Sequence, residues 1–313
     1  MTDSPYQIRS SCHICPIDCG ADRSITCGAC GVGKFEPTEL SGRDLRFCAY
    51  VARAARHYYE EPPISGDRGS GAVFFSGCNM RCVFCQNFDI SREQKGRLID
   101  DNELTDTMLS LMKLGAHNIN LVTPSPHIEL IVKAITKAKT CGLNIPIVYN
   151  TNAYEKVETL KRLDGLVDVY LPDLKYRSSV AAKRYSHTEN YFEFASKAVL
   201  EMYRQCGELT VDDCGIAQRG MLIRHLVLPA SVDETRGVLD FIKSELPLST
   251  HISLMSQYTP FCDPPPPLDR KLKKREYDRA LDYALSLGFI NIYMQSLASA
   301  KSSFTPAFNG FFE

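Results

Sequence analysis

Residues 72–85 read Ala72-Val73-Phe74-Phe75-Ser76-Gly77-Cys78-Asn79-Met80-Arg81-Cys82-Val83-Phe84-Cys85. A short apolar run meets a small-residue turn, and three cysteines follow with C-x3-C-x2-C spacing. Such a run, bounded by Ser-Gly, reads as a buried strand. Outward from it the rhythm repeats. Apolar runs at 118–122, 146–150, 167–171, 222–228, 251–255 and 289–294 alternate with helical patterns at 103–114, 128–140, 155–163, 234–245 and 273–287. Strands alternating with helices imply βαβ units and a parallel sheet, and right-handed crossovers curl that sheet towards a barrel. The expectation is an α/β fold, a partial (β/α)6-type TIM-like barrel over residues 67–313. A Cys-rich extension over residues 1–66 precedes it, with a helix expected near residues 49–59.

The composition narrows the function. Lys plus Arg is 36 and Asp plus Glu is 37 in 313 residues, a net charge of −1. That balance argues against a generally basic nucleic-acid binder. No run of about 18 apolar residues suggests a membrane span. The first residues lack a basic and then apolar leader, so a cytoplasmic location is expected. Thirteen cysteines in a reducing compartment are read first as metal or catalytic ligands rather than as a disulfide framework. Cys48, Cys141, Cys206, Cys214 and Cys262 are scattered and are expected to be buried packing residues.

The triplet Cys78, Cys82 and Cys85 stands apart. A structural zinc site normally closes with four ligands. No fourth cysteine lies near, and no histidine falls between 78 and 116. Three thiolates leave one metal position open, as a catalytic iron–sulfur cluster requires. Zinc completed by a distant ligand is the other reading. The predicted strand ends carry Thr123, Ser125, Asn150, Thr151, Asp173, Lys175, Gln257 and Gln295. In α/β barrels the active site is built at that end, from the loops after several strands. Arg224 and His225 are adjacent in a predicted strand, so only one of them can face the barrel.

C-x3-C-x2-C with an aromatic at Phe84, after the first barrel strand, resembles the radical S-adenosylmethionine (SAM) superfamily. The stretches 60–66, 74–79, 85–87, 149–151, 170–176, 224–229 and 255–258 resemble one subfamily, similar to pyruvate formate-lyase activating enzyme. That subfamily is related to the radical SAM member of the AmmeMemoRadiSam system. The resemblance covers roughly residues 12–295. It implies a [4Fe–4S] cluster on Cys78, Cys82 and Cys85, with SAM chelated at the open iron. One electron then cleaves SAM to a 5′-deoxyadenosyl radical, which abstracts a substrate hydrogen atom. It implies that Phe84 packs by the adenine and that Lys175, in an Asp173-Leu174-Lys175 motif, contacts the SAM carboxylate. Thr123, Ser125, Asn150, Thr151, His225 and Gln257 complete the expected cofactor-binding set. The Gly-Gly-Glu stretch that many superfamily members use for the SAM amino group is replaced by Thr123-Pro124-Ser125-Pro126.

Cys12, Cys15, Cys19 and Cys30 have metal-ligand spacing, with Cys27 extra. Structural zinc, a second iron–sulfur cluster and no metal all remain open here. Three functions compete. The first is an enzyme installing a glycyl radical on a partner enzyme, with a flavodoxin or ferredoxin as electron donor. The second is a radical SAM enzyme acting on a small molecule, RNA or peptide. The third is a non-catalytic iron–sulfur or zinc protein.

Overall fold

The computed structural model describes residues 11–35, 43–295 and 308. Its strands are β1 (Ala49–His57), β2 (Ser70–Phe75), β3 (Arg97–Ile99), β4 (Ile119–Val122), β5 (Ile147–Thr151), β6 (Val169–Pro172), β7 (Thr210–Val211), β8 (Ala217–Leu226), β9 (His251–Met255) and β10 (Ile292–Met294). They form one sheet in the order β10-β9-β8-β6-β5-β4-β2-β1-β3, with β7 paired to β8. From β2 to β10 along that order all neighbours are parallel. The sheet curls as a partial barrel and does not close: its ends are β10 and β3.

The parallel strands read as continuous apolar runs because both their faces are covered. Every residue of β2, β4, β5 and β6 is buried. Helix Ile128–Thr140 buries Ile128, Leu130, Ile131, Ala134, Ile135 and Ala138, an apolar stripe at helical spacing. Helix Asp101–Lys113 starts at a capping box made by Asp100 and Glu103, a device that satisfies two otherwise unpaired N–H groups.

Two expectations need correction. Residues 49–57 form β1 and not a helix, antiparallel to β2 and to β3. Alanine is the strongest helix former, but propensity is a weak prior, and the ladder of hydrogen bonds at the edge of β2 overrides it. The sheet therefore takes in part of the segment expected to be an extension. Helices Ser179–Ser186 and Tyr191–Cys206 were not anticipated. Among the scattered cysteines, Cys48 and Cys206 are buried as expected, whereas Cys141, Cys214 and Cys262 are exposed.

Candidate active site

A cavity of about 230 Å³ opens at the C-terminal ends of the parallel strands. Cys78, Cys82, Phe84 and Cys85 enter it from the loop after β2, and Thr123 from the end of β4. Asn150, Thr151 and Asn152 come from β5, Asp173 and Lys175 from β6, Arg224 from β8 and Gln257 from β9. A larger groove, about 800 Å³, lies between the N-terminal segment and helix Ile128–Thr140. It receives none of these strand-end residues, so the smaller cavity is the candidate site.

The three sulfurs face one another's fields across this cavity. Each is met by groups suited to an ionised sulfur. Met80 N–H and Asn152 Nδ2 approach Cys78 Sγ at 3.4 and 3.5 Å. Ser186 Oγ donates to Cys82 Sγ at 3.0 Å. Burial pushes the Cys78 and Cys85 thiols up, and Lys175 works in the opposite direction. Among the described residues no three His, Cys, Asp or Glu side chains stand close enough to grip a single metal ion. The separate iron corners of a cubane do not require that closeness. Phe84 is buried at the cavity wall and meets Tyr258 edge-on, ring centroids 6.0 Å apart.

Facing the sulfurs is a charged network. Lys175 Nζ donates to Asp173 Oδ2 at 2.7 Å. Arg224 donates from Nε to Asp173 Oδ1 at 2.8 Å, from Nη1 to Glu60 Oε2 at 3.0 Å and from Nη2 to Asn150 Oδ1 at 2.6 Å. Burial opposes charge on Asp173, but Arg224 and Lys175 outweigh it and hold the carboxyl below its usual range. Burial likewise opposes charge on Lys175, but Asp173 and Cys82 outweigh it and raise the ammonium. Both groups are ionised at neutral pH. The backbone fixes this pairing: Leu174 N–H donates to Arg224 O at 2.8 Å, and Asp173 and Arg224 bridge in parallel register. Tyr191 accepts from Lys175 N–H at 3.0 Å and donates to Asp173 O at 2.7 Å.

Not all expected site residues reach the cavity. Arg224, not His225, is the member of the pair that faces it. His225 contacts Leu174 O and Thr235 Oγ1 at 2.7 and 2.9 Å. Burial lowers its pKa to about 4, so it stays neutral. The expected cofactor contact of His225 is therefore corrected to support of the strand loop behind the cavity. Ser125 is buried beneath the cavity and bonds Glu155, so its expected cofactor contact is corrected too. Glu155 also accepts from Thr151 Oγ1 at 2.6 Å, and burial raises its pKa. Thr123 does line the cavity, with a φ of +59°, a strained setting for a β-branched residue. Gln295 is not in the lining; its carbonyl accepts from Ser256 Oγ at 3.1 Å.

Four contributors were missed by sequence reasoning. Glu60 falls in the 60–66 stretch, which carries the family resemblance but no expected site residue. Asn152 follows Asn150 and Thr151 directly but is not among the expected site residues. Ser186 and Tyr191 sit on the two unanticipated helices. The polar Glu60-Glu61 pair before a proline turn, beside a buried sheet, was the one available signal.

The loop after β2 is held from behind. His127 stacks on Phe75, ring centroids 5.2 Å apart, and donates from Nε2 to Ser76 O at 2.9 Å. Burial lowers its pKa to about 3, which keeps it neutral.

This chain belongs to the radical SAM superfamily: the family's profile matches residues 72–237, from β2 into the helix after β8. It is therefore a radical SAM enzyme, and the family implies a [4Fe–4S] cluster and SAM. An uncharacterised protein of Methanocaldococcus jannaschii is 30% identical over 297 residues, covering 91% of this chain and 78% of that one. Among solved structures, Streptococcus suis SuiB bound to its precursor peptide SuiA is similar with a TM-score of 0.49 and 14% identity. That match covers 71% of this chain and 48% of SuiB, so this chain spans about half of SuiB's length. A domain of a pyruvate-formate lyase-activating enzyme from Bacteroides vulgatus matches with a TM-score of 0.39 and 14% identity, over 55% of this chain and 92% of that one. No helix among the described residues is long and apolar enough to cross a membrane.

Proposed function

We propose that this enzyme uses Cys78, Cys82 and Cys85 to hold the cluster and activates a partner enzyme by removing a hydrogen atom from one of its glycines. The observation that carries the reading is the convergence of three sulfurs with the Asp173–Lys175–Arg224 network in one cavity. When bound, the cluster and SAM together supply the reductive cleavage that yields a 5′-deoxyadenosyl radical. The chain's own residues bind, orient and shield. Lys175 presents an ammonium to the SAM carboxylate, a charge-assisted contact. Asp173 fixes the direction of that ammonium, and Arg224 fixes Asp173. Phe84 offers an apolar face for the adenine, while Asn150, Thr151, Thr123 and Gln257 offer hydrogen bonds to the polar parts. The acidic partner for the SAM amino group comes from Glu60 or Asp173, the carboxylates lining the cavity.

The Asp173-Leu174-Lys175 motif favours the glycyl-radical role, with a flavodoxin or ferredoxin as electron donor. Anaerobic reconstitution followed by SAM and dithionite is expected to release 5′-deoxyadenosine. Incubation with candidate glycyl-radical enzymes is expected to give a radical doublet in electron spin resonance. No nucleoside from a fully loaded cluster would sink the assignment of the cavity. Nucleoside release without a doublet from any candidate would move the substrate to a small molecule, RNA or peptide.

A further inference from the structure

Helix Ser179–Ser186 ends against the triplet loop. His187, at its C-terminal cap, takes a left-handed φ of +56°, so Ser186 is the last helical residue. A serine hydroxyl inside a helix commonly bonds back to the carbonyl four residues earlier. That carbonyl, Ala182 O, already accepts the N–H groups of His187 and Thr188. Ser186 Oγ turns instead to Cys82 Sγ, 3.0 Å away. The approach is closer than those of Met80 and Asn152 to Cys78, at 3.4 and 3.5 Å. A second contact pins the same helix end: Val83 N–H donates to Tyr185 O at 2.9 Å.

A sulfur that ligates iron carries no proton, so the donor in this contact is Ser186. Its hydroxyl proton is then spent on Cys82, and its oxygen is left to accept. Tyr176 Oη stands 2.8 Å from that oxygen. The three groups form a directed chain, from Tyr176 O–H to Ser186 Oγ and from Ser186 O–H to Cys82 Sγ. Tyr176 and Ser186 are each 1% exposed, so water does not compete for either hydroxyl. Hydrogen bonds are stronger in such surroundings than in water. The Tyr176 ring is held edge-on by Tyr191, with centroids 5.5 Å apart, and by Tyr185 at 6.3 Å. Tyr176 directly follows Lys175. The segment that presents the ammonium therefore also anchors a donor to a sulfur.

We propose that Ser186, oriented by Tyr176, raises the reduction potential of the cluster held by the triplet. The inference rests on the reading of Cys78, Cys82 and Cys85 as its ligands. Reduction adds one electron from an external donor, and part of its charge spreads onto the ligand sulfurs. No bond breaks and no proton is transferred. A hydroxyl aimed at sulfur stabilises the more negative state more than the less negative one. Ser186 and Tyr176 are positioning residues, acting through Cys82 rather than on substrate or SAM. Their effect is to ease the entry of the electron.

The test is a potential measurement on the full-length chain, without SAM. The unchanged chain, Ser186→Ala and Tyr176→Phe are reconstituted anaerobically and assayed for iron and sulfide. Each is titrated with dithionite in the presence of mediator dyes, and reduced cluster is read by electron spin resonance. Equal loading is expected in all three. The midpoint of Ser186→Ala should move to a more negative potential. At the unchanged chain's midpoint, its ratio of reduced to oxidised cluster should fall about fivefold. Tyr176→Phe should move in the same direction by less, because Ser186 keeps its proton but loses its guide. An unmoved midpoint in fully loaded Ser186→Ala overturns the proposal, as does a shift to less negative potential. If Ser186→Ala does not load, Tyr176→Phe decides, and an unmoved midpoint there overturns it. Loss of loading in both variants overturns it too, in favour of a purely structural role. An unchanged chain that takes up no iron and sulfide overturns the ligand assignment itself, a result distinct from a potential that fails to shift.

Discussion

Arg224 and Asp173 meet twice, by an Nε–Oδ1 hydrogen bond of 2.8 Å and by a backbone bridge in parallel register. Side-chain charge and strand register thus fix the same point. The site's electrostatics hang on this pair, because Arg224 also holds Glu60 and Asn150.

Removing Arg224 leaves the part-buried Glu60 carboxylate without its cation and Asp173 with Lys175 alone. Arg224→Met should cost about 3–5 kcal/mol of stability, the usual consequence of breaking a buried pair from one side. Urea denaturation measures it. A loss below about 1 kcal/mol would show that water or Lys175 takes over.

Asp173→Asn should act differently. Asn keeps one acceptor for Arg224 Nε but turns its Nδ2 donor on the Lys175 ammonium, which loses its anchor. SAM affinity should fall by about tenfold, as for one charge-assisted contact. Lys175→Ala should lose at least as much. Cluster content, read by iron analysis, should stay unchanged in both.

Thr123 holds a left-handed backbone at the cavity edge. Thr123→Gly should relieve the strain and stabilise the fold by about 1 kcal/mol. The same change removes a hydroxyl from the cavity, so SAM affinity should fall while the melting temperature rises. A fall in both would mean that the hydroxyl, not the strain, dominates stability.

Gly77 has a φ of +88°, and a Cβ there would stand 2.4 Å from Val32 Cγ2 and 3.0 Å from Cys30 O. Gly77→Ala should push the N-terminal segment off the triplet loop. The expected result is a chain destabilised by about 1–3 kcal/mol that reconstitutes iron poorly. Normal iron loading would show that the two segments move independently.

Glu276 gives a pH signature away from the site. It accepts from Arg270, Ala230 N–H and Lys273 N–H, and Arg270 above all holds its pKa down to about 2. A depressed carboxyl contributes stability above its unfolded value, 4.5, and loses it as the pH falls towards the folded value. Glu276→Gln should therefore cost on the order of 1 kcal/mol at pH 7. The difference from the unchanged chain should vanish near pH 2.

Sequence reading located the barrel because parallel strands buried on both faces leave continuous apolar runs, as in β2 and β5. It singled out Cys78, Cys82 and Cys85 by local spacing and Asp173 and Lys175 by a local motif, and the structure brings all five into one cavity. It missed β1 because alanines carry no strand signal and the ladder with β2 is a tertiary event. It missed Glu60, Ser186 and Tyr191 for a related reason. Glu60 meets Arg224 across 164 positions of the chain, and Ser186 meets Cys82 across 104. Pairings at such separations leave no periodic trace. The choice between Arg224 and His225 could be posed from alternation but not resolved, since strand phase relative to the barrel is set by packing.

The exposed positions of Cys19, Cys27, Cys141, Cys214 and Cys262 bear on how the protein behaves in air. Accessible thiols oxidise and cross-link between molecules before buried ones do. Precipitation after aeration would then report these exposed residues and not damage to the cavity triplet. Serine at all five positions would give a chain whose sensitivity to oxygen reads the cavity triplet.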